Sequence, residues 1–149
     1  MHKVDWRSSL LTSDGCNLFC HFHSPDAEST RIALRQIDAN ATISWPGTIH
    51  EQPGLTDALR ASANVIVSRH FEEPVAIEDV QAKEDAGAWC LEAYRVSFIR
   101  TYFSLNRTRM ICLYNAPDAE SVRLAQSQAG MPFDGVWSFT EIGPGDVKL

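Results

Sequence analysis

The sequence predicts a mixed α+β fold built of ferredoxin-like units, of the dimeric α+β barrel type. One observation is a pattern of strand, Pro-Asp and helix that occurs twice, at residues 18–36 and again at residues 110–128. The other is the order strand, helix, strand, strand, helix, strand over residues 64–142. This order is a split βαβ motif used twice, which places both helices on one face of an antiparallel sheet.

The two copies of the pattern align without a gap at a constant offset of 117 − 25 = 92 residues. Between residues 6–49 and 98–141, 11 of 44 aligned positions are identical, and nine of these lie within residues 18–36. A gapless match of this kind is difficult to obtain by chance. We therefore interpret it as an internal repeat, in which the first copy lacks the opening strand and the first helix.

For the first copy, residues 1–52, the sequence predicts the order strand, strand, helix, strand. Asp14-Gly15 favours a tight turn between the first two strands because glycine accommodates a positive φ. Pro25 ends the second strand, and the side chain of Asp26 is suited to cap the helix that follows. The predicted strands cover residues 6–12, 17–23 and about 43–49.

A linker is predicted at residues 53–63 because Pro53-Gly54 interrupts the pattern, which leaves residues 64–149 as a complete domain. Its first strand, residues 64–71, is rich in Val and Ile, and the stretch from Ala76 to Tyr94 predicts one long helix. Because Gly87 has no side chain, we expect a neighbouring element to pack closely against it.

Composition excludes several classes of function. The net charge of −6 and the pI near 5.3 oppose binding to nucleic acid or to an anionic membrane surface. The sequence has no apolar run long enough to span a membrane and no apolar N-terminal signal, so a cytoplasmic location is expected. The four cysteines form no CxxC pair, which favours reduced and mostly buried thiols.

Alternation along the strands predicts which side chains face the helices. In the first copy these are Leu18, Cys20 and Phe22. The opposite face of the complete domain would carry apolar side chains that need a cover, which predicts a homodimer unless the two copies cover each other within one chain. The side chains expected on that face are Phe98, Tyr102, Ile111 and Leu113.

Four segments of the second half resemble a family of small bacterial proteins that is classed as a domain of unknown function and described as nickel-binding. They are Val65–Pro74, Glu84–Glu92, Phe98–Tyr102 and Cys112–Asp118. The resemblance implies a dimerising ferredoxin-like domain, with nickel or another divalent transition metal as the expected cofactor. It assigns no ligand set to positions of this sequence.

His21 and His23 are the candidate metal ligands. Residues at positions i and i+2 of a strand lie on one face, and two imidazole nitrogens suit nickel, copper or zinc. We expect them to share that face with Trp6, Ser8 and Leu10 of the neighbouring strand. The alternative is an ordinary solvated or interface pair, since His-x-His is common without metal.

Glu84, Arg100 and Tyr102 are the candidate ligand-binding residues. A carboxylate at position 84 would interrupt an apolar helix stripe and needs a partner such as Arg69 or Arg100, or else a rim position with its head in water. Arg100 and Tyr102 place a cation and a phenol on the open sheet face, which suits an anionic ligand or an interface.

Three classes of function remain after these observations. They are a metal-binding protein, a binding or assembly module without metal, and a small enzyme with its site in a barrel-like cavity. The sequence contains no GxSxG, P-loop, GxGxxG or HExxH motif, so no residue is assigned as catalytic. Metal binding ranks first because the resemblance and the His21/His23 pair agree.

Overall fold

The structure, a computed structural model, describes residues 3–39 and 41–146. Its strands are β1 (Asp5–Thr12), β2 (Leu18–His23), β3 (Gly47–Glu51), β4 (Val65–His70), β5 (Ser97–Ser104), β6 (Arg109–Asn115) and β7 (Gly135–Ile142). Its helices are α1 (Ala27–Gln36), α2 (Asp57–Ala61), α3 (Ile77–Ala86), α4 (Ala88–Ala93) and α5 (Ala119–Gln128), and a 3₁₀ turn covers Pro144–Asp146.

The predicted α+β class is confirmed, since helices alternate with strands that pair antiparallel throughout. Among residues 3–39 and 41–146, no helix has both the length and the apolar character that crossing a bilayer requires.

The chain divides into two compact units. The first contains Met1–Pro46 and Phe139–Leu149, and the second contains Gly47–Ser138. Strand β7 therefore contributes to both units, and β3 belongs to the second unit although it follows the first copy of the repeat. The domain boundaries at residues 52 and 64 stay predictions.

The second unit contains a sheet in the order β7-β4-β6-β5-β3, with β7 represented by its first half. Helices α3 and α4 connect β4 to β5, and α5 connects β6 to β7. One face of the sheet, which we call the helix face, carries the side chains that pack with these helices. It forms the core, with Val65, Val67, Cys112, Tyr114, Val122, Ala125 and Val136 nearly inaccessible to solvent.

The starts of α1 and α5 are built alike. Asp26 Oδ1 accepts a hydrogen bond from the Ser29 amide at 2.7 Å, and Asp118 Oδ1 accepts one from the Ser121 amide at 2.7 Å. Each bond satisfies one of the free N–H groups of a first helical turn. The predicted Asp caps are therefore confirmed.

The last strands of the two sequence copies exchange places. In the first unit β1 pairs with the end of β7, with Leu10 opposite Glu141. In the second unit β5 pairs with β3, with Tyr102 opposite Ile49. The two pairs correspond through the 92-residue offset, because Leu10 aligns with Tyr102 (10 + 92 = 102) and Glu141 aligns with Ile49 (141 − 92 = 49). Each copy thus gives its last strand to the sheet that contains the hairpin of the other copy.

The single long helix predicted from Ala76 to Tyr94 is wrong. Gly87 divides it into α3 and α4. A Cβ atom at Gly87 would lie 2.5 Å from the Cβ of Ala129, so the glycine allows the break between the helices to approach the end of α5. The predicted close packing at Gly87 is confirmed, but its partner is a helix end.

The third strand of the first copy begins later than predicted. It starts at Gly47, directly after Pro46, and the side chain of Ile43 is 56% exposed. Proline has no N–H to donate to a ladder, which explains a start after position 46. The predicted linker contains the short helix α2, which begins after the capping side chain of Thr56.

Two expectations about faces are corrected. The register of β1 shifts between Trp6 and Ser8, so Trp6 lies opposite Phe22 and not on the face of His21. A similar shift in β5 places Phe98 opposite Tyr114 and beside it on the helix face. Such bulges reverse the side of every residue beyond them.

Two members of the predicted inward set of the first copy are less buried than expected. Leu18 and Cys20 are exposed, and Phe22 is partly buried. The four cysteines are free, and only Cys90 and Cys112 are buried. Within the described residues no strand lies on the outer side of β2, so this strand lacks the cover that the prediction assumed.

Candidate functional site

The two candidate metal ligands lie side by side on β2. The ring centroids of His21 and His23 are 5.1 Å apart and their planes are inclined at 76°. His21 is partly buried and pairs across the sheet with Ser8, whereas His23 is exposed and lies opposite Asp5. Ser8 and Leu10 share the face of His21 as predicted. The strand therefore holds two imidazoles close together without any contribution from a loop.

The donor set fits a metal ion only in part. Neutral imidazoles are good ligands for divalent transition metals, and two of them on one strand can contact one ion. No group of three or more His, Cys, Asp or Glu side chains with metal-binding geometry occurs in the part of the chain that the structure describes. Among the described residues, the pair thus supplies two of the donors that an ion there would need.

A second polar cluster surrounds Glu51 at the end of β3. Its carboxylate accepts from Arg60 Nε at 2.9 Å and from Arg100 Nε at 2.9 Å. Arg60 also donates to Asp57 at 2.6 Å, and Arg100 Nη1 donates to the Tyr102 hydroxyl at 3.0 Å. The Arg60 guanidinium, followed by that of Arg100, lowers the pKa of Glu51 to about 2.

This cluster is already balanced in charge. Two guanidinium groups, Arg60 and Arg100, face the carboxylates of Glu51 and Asp57. An anionic ligand would have to compete with Glu51 for the Arg100 donors. The predicted ligand role of Arg100 and Tyr102 stays a prediction, and their present partner is a carboxylate of the same chain.

A third cluster lies inside the helix face of the second unit. Arg69 Nη2 donates to the Tyr114 hydroxyl at 3.1 Å and to Gln126 Oε1 at 2.7 Å, and Nη1 donates to the Pro132 carbonyl at 2.6 Å. The Tyr114 hydroxyl donates to Glu84 Oε1 at 3.1 Å. Glu84 is therefore linked through a phenol to Arg69, one of the two partners proposed from the sequence.

Burial dominates the electrostatics of this cluster. Arg69 is 1% exposed and Tyr114 is fully buried. Burial raises the pKa of Glu84, and the charge of Arg69 opposes that rise. Burial also raises the pKa of Tyr114. Arg69 Nε and Gln126 Nε2 have no hydrogen-bond partner among the described residues. The arrangement joins α3, α5 and the sheet; Arg69, Tyr114 and Gln126 are buried in it, whereas Glu84 is only partly buried.

The three predicted ligand-binding residues do not form one site. Glu84 bonds with Tyr114 on the helix face, whereas Arg100 lies opposite Leu113, on the other face of the same sheet. Tyr102 lies beside Arg100 on that second face and pairs with Ile111. Leu113, which we expected to need a cover on that face, is buried.

Sequence reasoning missed Gln126, Glu51 and Arg60. The repeat offers a signal for the first, because Gln126 aligns with Leu34 at 126 − 92 = 34. A polar side chain at a helix position that is apolar in the other copy indicates a buried hydrogen-bond partner. No such signal exists for Glu51 and Arg60, since they meet only after β3 and α2 take their places beside β5.

A shallow groove lies against α3. Its cavity volume is about 250 Å³, and its apolar walls include Phe71, Val80 and Met131, with Asp79 and Lys83 at the same opening. Pockets for small organic ligands usually enclose roughly 300–1,000 Å³. The groove is therefore at or below the lower limit for such a ligand.

Comparison with known proteins agrees with the resemblance inferred from the sequence. No curated protein and no solved structure matches the chain. A family model does match, over a segment that runs from β4 to the first half of β7 and contains a single histidine, His70. The predicted relationship is confirmed: residues 66–138 match the family of nickel responsive proteins described as SCO4226-like.

Proposed function

We propose that this chain is a cytoplasmic nickel-responsive protein that binds a divalent transition metal, nickel first, through His21 and His23. The observation that carries the proposal is the pair of imidazole rings 5.1 Å apart on one strand face. The description of the matching family supports nickel as the metal. Four free cysteines favour a reducing compartment.

The two supports come from different parts of the chain. The family match covers residues 66–138, and the histidine pair lies outside that segment. The ligand role of His21 and His23 therefore rests on their geometry alone. Within the matched segment the obvious competing donor is His70, which is exposed at the end of β4.

Calorimetric titration of nickel and of zinc into protein purified without a His-tag tests the proposal. In the double variant His21→Ala/His23→Ala we expect the affinity for nickel to fall at least about tenfold, because both nitrogen donors are removed. His70→Ala is the matched control and should bind as the wild type does. Phe22→Leu is a second control, since Phe22 lies on the opposite side of β2.

Thermal unfolding of the same variants without metal separates ligand loss from misfolding. His23 is exposed and His21 only partly buried, so the double variant should melt close to the wild type. Nickel affinity that is unchanged in the double variant, or that is lost in His70→Ala instead, would refute the assignment.

We also propose that the chain consists of one complete ferredoxin-like unit and a partial copy derived by duplication. The proposal is supported by the strand order β7-β4-β6-β5 with helical connections after β4 and β6. It is further supported by element bounds that recur 92 residues apart: β1 and β5 start at 5 and 97, and α1 and α5 at 27 and 119.

A binding module without metal is the second candidate. The groove against α3, with Lys83 and Asp79 beside an apolar wall, is the observation that favours it. Its small volume limits the occupant to a short apolar group. A screen by thermal shift against small amphipathic ligands, with Val80→Lys as the blocked control, would distinguish this function from metal binding. An enzyme ranks third, because the sequence contains no recognisable catalytic motif.

A further inference from the structure

Backbone hydrogen bonds hold one wall of the groove against α3 in place. This wall belongs to the segment that follows β4, and it contributes Phe71 and Val75. The Phe71 amide donates to the Thr108 carbonyl at 2.7 Å, and the Val75 amide donates to the Arg107 carbonyl at 3.0 Å. Both acceptors lie in the turn between β5 and β6. The segment is therefore attached to the β5–β6 turn at both of its ends.

A second wall of the groove is held by the buried cluster around Arg69. It consists of Met131 and Pro132, which follow α5. The Met131 amide donates to the Gln126 carbonyl at 2.9 Å, and the Pro132 carbonyl accepts from Arg69 Nη1 at 2.6 Å. A groove whose walls are already fixed loses less of the binding free energy to ordering when a ligand enters.

The interior of the groove suits one apolar group of moderate size. Phe71, Val80 and Met131 line it, and Met131 is almost fully buried. The volume of about 250 Å³ is below the roughly 300–1,000 Å³ of pockets for drug-sized ligands. The side chain of a single amino acid is a closer match to this volume than a drug-sized molecule.

Two exposed side chains of opposite charge lie beside this apolar lining. Asp79 and Lys83 are four residues apart on α3, and both line the groove. An acid and a base at this spacing often pair with each other on a helix. Among the described residues, however, neither of these side chains forms a hydrogen bond or an ion pair. Both charges are therefore available to a ligand in the groove.

A free α-amino acid carries the complementary charges at a matching separation. Its ammonium and carboxylate groups are attached to one carbon atom, and side chains at positions i and i+4 of a helix have Cβ atoms about 5–6 Å apart. Asp79 can thus accept from the ammonium group while Lys83 donates to the carboxylate. The side chain of the amino acid branches from the same carbon atom, which brings it to the apolar lining.

We infer that the groove against α3 binds a free α-amino acid with an aliphatic or thioether side chain, such as leucine or methionine. Asp79 binds its ammonium group and Lys83 its carboxylate. The inference rests on the second candidate function proposed above, to which it adds the class of ligand, and it is independent of His21 and His23. Because both charged contacts are exposed to water, we expect a dissociation constant on the order of 1 mM.

Proton–nitrogen correlation NMR of the full chain in the presence of EDTA measures this binding residue by residue. L-leucine should shift the amide signals of Val80, Lys83 and Met131, with saturation in the millimolar range. Glycine, which has both charges and no side chain, should cause no saturating shift at these positions. Isovalerate and isopentylamine carry the same apolar group with one charge each. Each should bind about three- to fivefold less tightly than leucine, because one exposed ion pair is missing.

Two variants assign the charged contacts. Asp79→Asn should weaken leucine binding about three- to fivefold and leave isovalerate unchanged, because isovalerate has no ammonium group. Lys83→Gln should weaken leucine binding to the same extent and leave isopentylamine unchanged. Glu78→Gln is the matched control, since Glu78 is an exposed acid of the same helix that does not line the groove. It should bind leucine as the wild type does.

Leucine that binds no more tightly than isovalerate, or that binds equally to both variants and the wild type, would overturn the inference. In either case the groove would still accept an apolar group, so the second candidate function would stand. The absence of a saturating shift with every probe would refute both. The variant His21→Ala/His23→Ala should bind leucine as the wild type does, which separates this site from the proposed metal site.

Discussion

Two guanidinium groups bind the carboxylate of Glu51. Its side chain is 28% exposed and accepts hydrogen bonds from Arg60 of α2 and Arg100 of β5. Isolated surface ion pairs contribute little because water screens them, whereas a carboxylate shared by two guanidinium groups gains from both. Glu51 therefore ties α2 and β3 to β5.

Acid should weaken this connection. The pKa of Glu51 is lowered to about 2 from its ordinary value of 4.5 by Arg60 and Arg100, so the folded state binds the proton less tightly than the unfolded chain. Its contribution to stability is present above pH 4.5 and is lost as the pH falls towards 2. Allowing for screening, we expect Glu51→Gln to cost about 1–2 kcal/mol at pH 7.

Urea unfolding of Glu51→Gln at several pH values measures this effect. The difference from the wild type should shrink between pH 4.5 and 2, where Glu51 itself becomes protonated. Glu120→Gln is the control, since Glu120 is exposed and, among the described residues, pairs only with Arg123. A loss of stability that is the same at pH 7 and pH 2.5 would contradict the ionic explanation.

Single residues were predictable from the sequence where the local pattern decides their position. The caps Asp26 and Asp118 follow from Pro-Asp after a strand, and both form the expected hydrogen bond. Trp6 and Phe98 were assigned to the wrong face because register shifts in β1 and β5 leave no trace in the alternation of residue types.

At the level of elements, the packing of α3, α4 and α5 depends on the absence of a side chain at Gly87. A Cβ there would lie 2.5 Å from Ala129 Cβ and 3.2 Å from Ala129 Cα. The second of these atoms belongs to the backbone and cannot move aside by a rotamer change. The helix break is thus fixed by contact with a neighbouring helix end, which no single segment of sequence reveals.

Gly87→Ala should therefore destabilise the protein. Alanine favours helix by about 0.5–1 kcal/mol over glycine, but overpacking costs about 1–3 kcal/mol, so the clash decides the sign. We expect a net loss of about 1 kcal/mol or more, measured by urea unfolding. Ala129→Gly in the same chain should recover part of it, and Gly145→Ala, whose Cβ would meet no atom within 4 Å, should be neutral. A more stable Gly87→Ala variant would contradict the contact.

Over the whole chain, the order of the strands was predictable, whereas the pairing of β3 with β5 and of β1 with β7 was not. Periodicity identifies an element by its own residues, whereas an edge pairing such as β3 with β5 depends on two distant segments. Such pairings could be compared between the two copies only because the sequence repeat aligns their residues. The histidine pair was predictable for a similar reason, because it depends on one strand, while the clusters around Glu51 and Arg69 each combine three or more elements.

Cutting the chain between residues 52 and 53 should give two fragments that need each other. Fragment 1–52 loses the strand that pairs with β1, which lies at residues 139–142. Fragment 53–149 loses β3, which pairs with β5. We expect neither to melt as the intact chain does, and their equimolar mixture to regain a cooperative transition by circular dichroism. Fragment 1–46, which lacks β3, should rescue 53–149 less well. Melting of 1–52 alone at the temperature of the intact chain would contradict this expectation.

The exchange of last strands also makes the two copies inseparable as building blocks. A transplant of residues 53–149 into another protein would carry a strand end whose neighbour, β1, stays behind, and would leave out the strand that completes its own sheet edge. Recombination at the linker would separate β1 from β7 and β3 from β5 at the same time.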